Sequence, residues 1–225
     1  MKKIDSLFFE LLQVSVGRED CLSRGPEPEE WQELYEISKQ QHVEGISYHG
    51  VMKLFEFGLR APQDVSLDWM AESETIRETN EMAEKPSVLA QCYSEELRDL
   101  RQPRAEELPT VSKLTIQYLY KQFLLHQFDM CLLLDYYFVL LRNNGKYETL
   151  KGGGLLDSFG IRRFARGVMW MLQETMKLDR QYMPFEPLEI EGRFLLSDMM
   201  QEASKLERFA HVLFTYPLGI KDLRA

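Results

Sequence analysis

The sequence is poor in the residues from which most metal and nucleophilic centres are built. Its 225 residues include three cysteines and four histidines. Cys21, Cys92 and Cys131 are widely spaced, odd in number and form no CxxC or Cys/His pair, so neither a disulfide framework nor a zinc site is indicated. They are read as reduced thiols. His42 and His49 are the one close pair of histidines, and their separation along a helix, about 10 Å, is too large for one metal without a third ligand between them. HExxH, GxGxxG, the Gx[ST]xG elbow, the kinase signatures and any Cys/His dyad are missing as well.

Positive charge is also scarce. Lys and Arg number 27 against 36 Asp and Glu, a formal net charge of -9, which argues against nucleic acid as a partner because gripping a phosphate backbone needs an excess of cations on one face. The longest apolar run, "MCLLLDYYFVLL", falls short of the about 20 residues that span a bilayer and carries Asp135 inside it. At the N-terminus "MKKIDSLFFELLQVSVGRED" opens with two lysines, but Asp5, Glu10 and Gln13 interrupt the apolar run and no small-residue cleavage site follows. These features lead us to expect a cytoplasmic protein with no membrane partner.

What is present is an ordinary globular mixture, 44% hydrophobic and 28% charged, in a chain long enough to bury about 70% of its unfolded surface. Ile4, Phe8, Leu12 and Val16, with Leu7 and Leu11 beside them, recur at helical spacing, and Gly17 can end that helix. Pro28 with Glu29 and Glu30 marks a helix start, with Trp31, Leu34, Tyr35 and Ile37 as its buried stripe. A third helix is expected from Val43 to Leu59. A long fourth is expected after Asp64 or Ser66, kinked or broken at Pro86. "TVSKLTIQYLYKQFLLHQFDMCLLLDYYFVLLRN" is helical with an interruption at Gln127 to Asp129. Phe164 to Leu172 marks another helix, and "EGRFLLSDMMQEASKLERFAHVL" reads as a last one after the proline-bearing loop "DRQYMPFEPLEIEG". No period-2 strand pair occurs, so the fold class is all-α, a multi-helix bundle of seven to nine helices. The eleven methionines and thirteen phenylalanines are read as core filling.

Few segments carry chemistry. "LKGGGLL" lacks the GxxxxGK[ST] order and the preceding strand of a phosphate loop, so Gly152 to Gly154 are read as a helix end and turn. Arg162, Arg163 and Arg166 lie near the start of the following helix. Arg162 and Arg166, at i and i+4, could grip an anion such as a nucleotide phosphate, or could form a solvated face paired with the chain's many acids. His126, among Leu124, Leu125 and Phe128, reads as a partly buried helix-face histidine with one hydrogen-bond partner. Asp135 in "LLLDYYF" is the candidate buried polar residue; burial raises its pKa unless a cation or several donors face it. Glu189 and Glu191 imitate a metal-binding acidic pair but fall in a proline-flanked loop. No catalytic and no metal-ligating residue is assigned.

Two stretches of the chain carry a family resemblance. "LFFELLQVSVGRED", "WQELYEISKQQHVEGISYHGVMKL" and "NEMAEKPSVLAQCYSEELRDL" resemble the opening helices of a bacterial family described as uncharacterised nucleotidyltransferases. "FLLHQFDMCLLLDYYFVLL", "GLLDSFGIRRFARGVMWML" and "EGRFLLSDMM" are similar to its closing helices. The resemblance implies an N-terminal helical part over 1–102, a junction at 103–110 where the family's catalytic core would lie, and a C-terminal helical part over 111–225, or one packed domain made of both. In that family the core supplies a strand, a Lys-Gly turn and an Asp-x-Asp pair that holds Mg²⁺. Here no Asp-x-Asp occurs, and the one Lys-Gly pair, Lys151 and Gly152, follows no strand, so the catalytic core is absent from this chain. Nucleotidyl transfer and its Mg²⁺ would belong to a chain in which the core is present. The first reading is thus a catalytically incomplete nucleotidyltransferase-like protein that retains weak binding of a nucleotide or partner. The alternative is a non-enzymatic helical module that binds a protein. A third is an enzyme that uses Asp135, or Glu189 with Glu191, to hold a metal.

Overall fold

The computed structural model describes residues 3–82, 108–143 and 161–216. Among them are nine α-helices and no strand: α1 (Lys3–Ser15), α2 (Pro28–Gln40), α3 (Glu44–Glu56), α4 (Gln63–Met82), α5 (Leu108–Leu124), α6 (Met130–Asn143), α7 (Ile161–Met176), α8 (Glu189–Met199) and α9 (Lys205–Thr215). The all-α class read from the sequence is therefore the class observed. None of these helices is long and apolar enough to cross a membrane. Pro86, Cys92, most of the 103–110 junction and the glycines Gly152 to Gly154 lie outside the described residues. The chain divides into two compact units, Met1–Gln102 with Thr175–Lys177, and Pro103–Glu174 with Leu178–Ala225.

In the first unit α1 contributes Leu7, Phe8, Leu11 and Leu12 to the core, as its spacing predicts. Lys53 of α3 donates from Nζ to the last carbonyls of α1, Val14 O at 3.2 Å and Ser15 O at 3.0 Å, a cation at the negative end of the helix. The stripe on α2 is Trp31, Leu34, Tyr35 and Ser38; Ile37 is only half-buried, and the Ser38 hydroxyl is satisfied by Leu34 O at 2.8 Å. Trp69 of α4 is fully buried and donates from Nε1 to Glu44 O at 3.1 Å and to Ser47 Oγ at 3.2 Å, joining α4 to the first turn of α3. Its ring meets Tyr35 at 5.3 Å. The Tyr35 hydroxyl donates to Glu72 Oε2 at 2.5 Å, and burial together with this bond raises the phenol pKa.

The second unit is organised around aromatic rings. Phe164 of α7 meets Tyr120, Phe123 and Phe128 with centroids 5.4 to 5.8 Å apart, and Tyr216 closes the cluster against Tyr120 at 5.4 Å and Phe123 at 5.7 Å. The expected interruption near Gln127 to Asp129 is a turn. His126 has φ +61 there, and Asp129 caps α6 by accepting from Leu132 N at 3.0 Å. His126 is therefore an exposed turn residue and not the partly buried helix-face residue expected from its apolar neighbours.

Two further expectations are corrected. The last helix is two helices, α8 and α9, because Ser204 and Glu207 form a capping box that starts a new one. Ser204 Oγ accepts from Glu207 N at 3.2 Å, and Glu207 Oε2 from Ser204 N at 2.8 Å. Glu189 and Glu191, placed in a loop by their neighbouring proline, occupy the first turn of α8.

Gly50 sets the approach of α1 to α3. A Cβ built there lies 2.8 Å from the Leu11 carbonyl oxygen, a backbone atom that cannot step aside. Gly50→Ala should therefore lower stability by about 1 to 3 kcal/mol, where an unconstrained helical glycine would gain up to about 1 kcal/mol from the same change. Urea denaturation of the two proteins decides the sign; a gain would show that the helices have room to part.

Candidate functional site

The polar interior of the second unit is gathered where α7, α8 and α9 converge. Helices α7 and α8 cross at two glycines. A Cβ on Gly167 would lie 2.8 Å from Glu191 Cγ, and one on Gly192 would lie 2.8 Å from Trp170 Cβ. This close crossing puts Glu191, with 0% of its surface exposed, between the helices. A carboxylate so placed needs partners on both oxygens. Its Oε2 accepts from Arg163 Nε of α7 at 2.6 Å. Its Oε1 lies 2.8 Å from His211 Nε2 of α9, and the same oxygen accepts from the Tyr216 hydroxyl just past α9. The His211 ring is stacked on Phe194 of α8, with centroids 3.6 Å apart.

The electrostatics of this cluster favour charge on Glu191. Burial raises its pKa, but the hydrogen bonds from His211, Tyr216 and Arg163 outweigh burial and hold it below the ordinary carboxylate value. Burial, and then the charge of Glu191, push the Tyr216 phenol up, so Tyr216 stays protonated and donates.

A second buried charge lies one turn earlier on α9. Arg208, 5% exposed, donates from Nε to His126 Nε2 at 2.9 Å and from Nη2 to Phe123 O, while its Nη1 pairs with Asp198 of α8. Its guanidinium also stacks over the Phe123 ring at 4.7 Å. Burial pushes its pKa down to about 10, so it remains a cation at neutral pH. All three guanidinium nitrogens are used within the protein. Because His126 accepts from Arg208, its Nε2 must be unprotonated, and desolvation and then the Arg208 charge lower the His126 pKa.

These anchors turn α9 inside out. Arg208 is the one residue of the helix that is buried outright. The apolar side chains face solvent instead: Leu206 is 76% exposed, Phe209 63%, Leu213 40% and Phe214 81%. Beside this face lies an open cleft of about 790 Å³. Leu124, Phe128, Met199 and Val212 line it, with Phe209 continuing onto the outer face of α9. Its polar lining includes His126, Asp198, Lys205 and Arg208.

The residues singled out in the sequence fall in several places. Arg163 reaches Glu191, Arg166 donates from Nε to Glu186 O at 3.0 Å, and Arg162 is exposed on α7. Asp135 is buried on α6, as expected. Glu189 and Glu191 diverge, because Glu189 is exposed and accepts from Arg193 Nε at 2.8 Å while Glu191 faces inward. Among the described residues no group of three His, Cys, Asp or Glu side chains could hold a metal. Sequence reasoning missed Arg208, His211, Tyr216 and Asp198. One signal was available for Glu191, which shares the i, i+4, i+8 spacing of the buried Leu195 and Met199. No family model, curated protein or solved structure matches the chain.

Removing the buried carboxylate in Glu191→Ala should lower stability by about 3 to 5 kcal/mol, since it strands the groups that converge on it. Two pH dependences follow with opposite chemistry and the same direction. Glu191 has its pKa lowered on folding, so its contribution is present above the ordinary value of 4.5 and is lost as pH falls below it. The His126 pKa is also lowered, so on acidification through its ordinary value of 6.5 the unfolded chain takes the proton first and stability falls. Urea midpoints measured across pH should show the upper slope disappear in His126→Gln and the lower one in Glu191→Gln. An unchanged upper slope in His126→Gln would contradict the assignment of Nε2 as an acceptor.

Proposed function

We propose that the chain is a non-enzymatic helical module that docks a protein partner through α9. One observation carries this reading: the outer face of α9 is apolar while its inner side is pinned by a buried arginine and by Glu191. Apolar side chains scattered singly over a surface need no explanation, but four exposed on one short helix, beside a cleft of mixed apolar and polar lining, suit an interaction surface. Each large side chain of this kind would contribute about 1.5 to 3 kcal/mol on burial. A partner recovers that energy without any rearrangement of the module.

A nucleotide cleft at Arg162, Arg163 and Arg166 has less support, since Arg163 hydrogen-bonds the buried Glu191 and Arg166 a backbone carbonyl. On the present reading, helical parts similar to those of nucleotidyltransferases would serve docking in place of framing a catalytic core. The exposed thiol of Cys21 and the half-buried thiol of Cys131, neither in a disulfide, fit a cytoplasmic setting.

The test pairs stability with association. Substituting Phe209 and Phe214 by Ser should change stability by no more than about 0.5 kcal/mol each, the range of ordinary surface changes. It should also abolish the protein adducts formed by a photo-crosslinking residue placed at Leu213. A large loss of stability would show that the face is core; adducts unchanged in the double variant would show that docking occurs elsewhere.

A further inference from the structure

We propose that α9 carries a proton-operated latch: a proton taken up by His126 frees the Arg208 end of the helix, while the end that bonds Glu191 stays seated. The inference goes beyond the docking reading and does not rest on it. Its basis is the geometry at the end of α5. His126 closes that helix, its N–H bonded to Phe123 O at 3.2 Å and the next amide, of Gln127, to Gln122 O at 2.9 Å. The position has φ +61, a conformation that glycine adopts freely and a histidine only with strain. This backbone holds an exposed ring whose Nε2 accepts from Nε of the buried Arg208 at 2.9 Å. Protons from solvent can therefore reach a ring on which a buried cation depends.

A proton on Nε2 changes this contact in two ways. The acceptor becomes a donor, so Arg208 Nε loses its partner, and an imidazolium then abuts a guanidinium. The Phe123 carbonyl, which accepts from the His126 amide and from Arg208 Nη2, lies at the negative end of α5, where the two cations then compete. The charged groups around His126 do not restore the bond. Lys205 of α9 lines the same cleft and adds a further cation. Asp198 of α8 pairs with Arg208 Nη1, so an imidazolium that turned to Asp198 would take this carboxylate from Arg208. In the turn itself Asp129 accepts from Leu132 N, and on α9 Glu207 accepts from Ser204 N. The far end of α9 answers acid differently. His211 Nε2 lies 2.8 Å from Glu191 Oε1, so a proton there makes an ion pair in place of breaking a contact. Tyr216 donates to the same oxygen and Arg163 of α7 to the other, which keeps this end seated.

The experiment follows amide hydrogen exchange in the full chain by NMR at about pH 7.5 and about pH 5.5, with the intrinsic pH dependence of exchange removed. Protection of the Arg208, Phe209 and Ala210 amides should fall about three- to tenfold at the lower pH. About tenfold is the ceiling for one proton excluded from the closed state about one pH unit below the ordinary histidine value of 6.5. Over Leu213 to Tyr216 protection should hold. His126→Gln supplies an acceptor that takes no proton in this range and should abolish the fall. His126→Asn, which tolerates positive φ, repeats the test with less strain on the turn and should abolish it as well. Equal protection of Arg208 to Ala210 at both pH values in the unaltered chain would overturn the latch. A fall of the same size in both variants would overturn the role of His126. A uniform fall along α9 would overturn it too, because the helix would then be melting as a whole and not releasing one end.

Discussion

The arrangement of the second unit depends on the cost of burying charge. Glu191 and Arg208 are both shut away from water, and an ion left there without partners costs several kcal/mol. Each is satisfied only when α9 lies with one particular side inward, because His211 and Tyr216 approach Glu191 from that side and Arg208 reaches Asp198, Phe123 O and His126 from it. Turning α9 over to bury the exposed parts of Leu206, Phe209, Leu213 and Phe214 would gain about 4 to 8 kcal/mol in transfer free energy by area alone. It would also strand two charges and break the aromatic cluster that Tyr216 closes.

The close crossing of α7 and α8 belongs to the same constraint. With a side chain at Gly167 or Gly192 the helices would stand further apart, and Glu191 would be reached by water in place of Arg163 and His211. The first unit is built differently. It buries polar side chains too, but Gln13, Ser38 and Ser47 bond backbone carbonyls of Thr175, Leu34 and Val43, while Lys53 holds the last carbonyls of α1 and Trp69 the first turn of α3. An interior of that kind specifies packing, whereas one built on paired buried charges specifies orientation.

Much of the fold was legible in the sequence because helical period and caps are local. The stripe Leu7, Phe8, Leu11, Leu12 and the break before Asp129 could be read directly, and Ser204 with Glu207 carried a capping box that the reading passed over in favour of one long helix. The burial of Asp135 followed from its apolar neighbours. The site was legible in much smaller part. On α9 the apolar residues Leu206, Phe209 and Leu213 have the spacing of a buried stripe, and periodicity alone turns them inward. Only the tertiary partners of Arg208, which come from α8 and from the turn at His126, reverse that assignment. Likewise the three arginines of α7 looked equivalent in sequence, and their different fates depend on Glu191 and Glu186, which lie 20 or more residues away along the chain.

The orientation of α9 is the claim on which the functional account stands, and hydroxyl-radical footprinting of the dilute chain tests it most directly. Oxidation read residue by residue by mass spectrometry should modify Phe209 and Phe214 at rates close to those of the unfolded chain, while Phe123 and Phe164 are protected. Protection of Phe209 and Phe214 in the monomer, with oxidation on the Arg208 side of the helix, would contradict it.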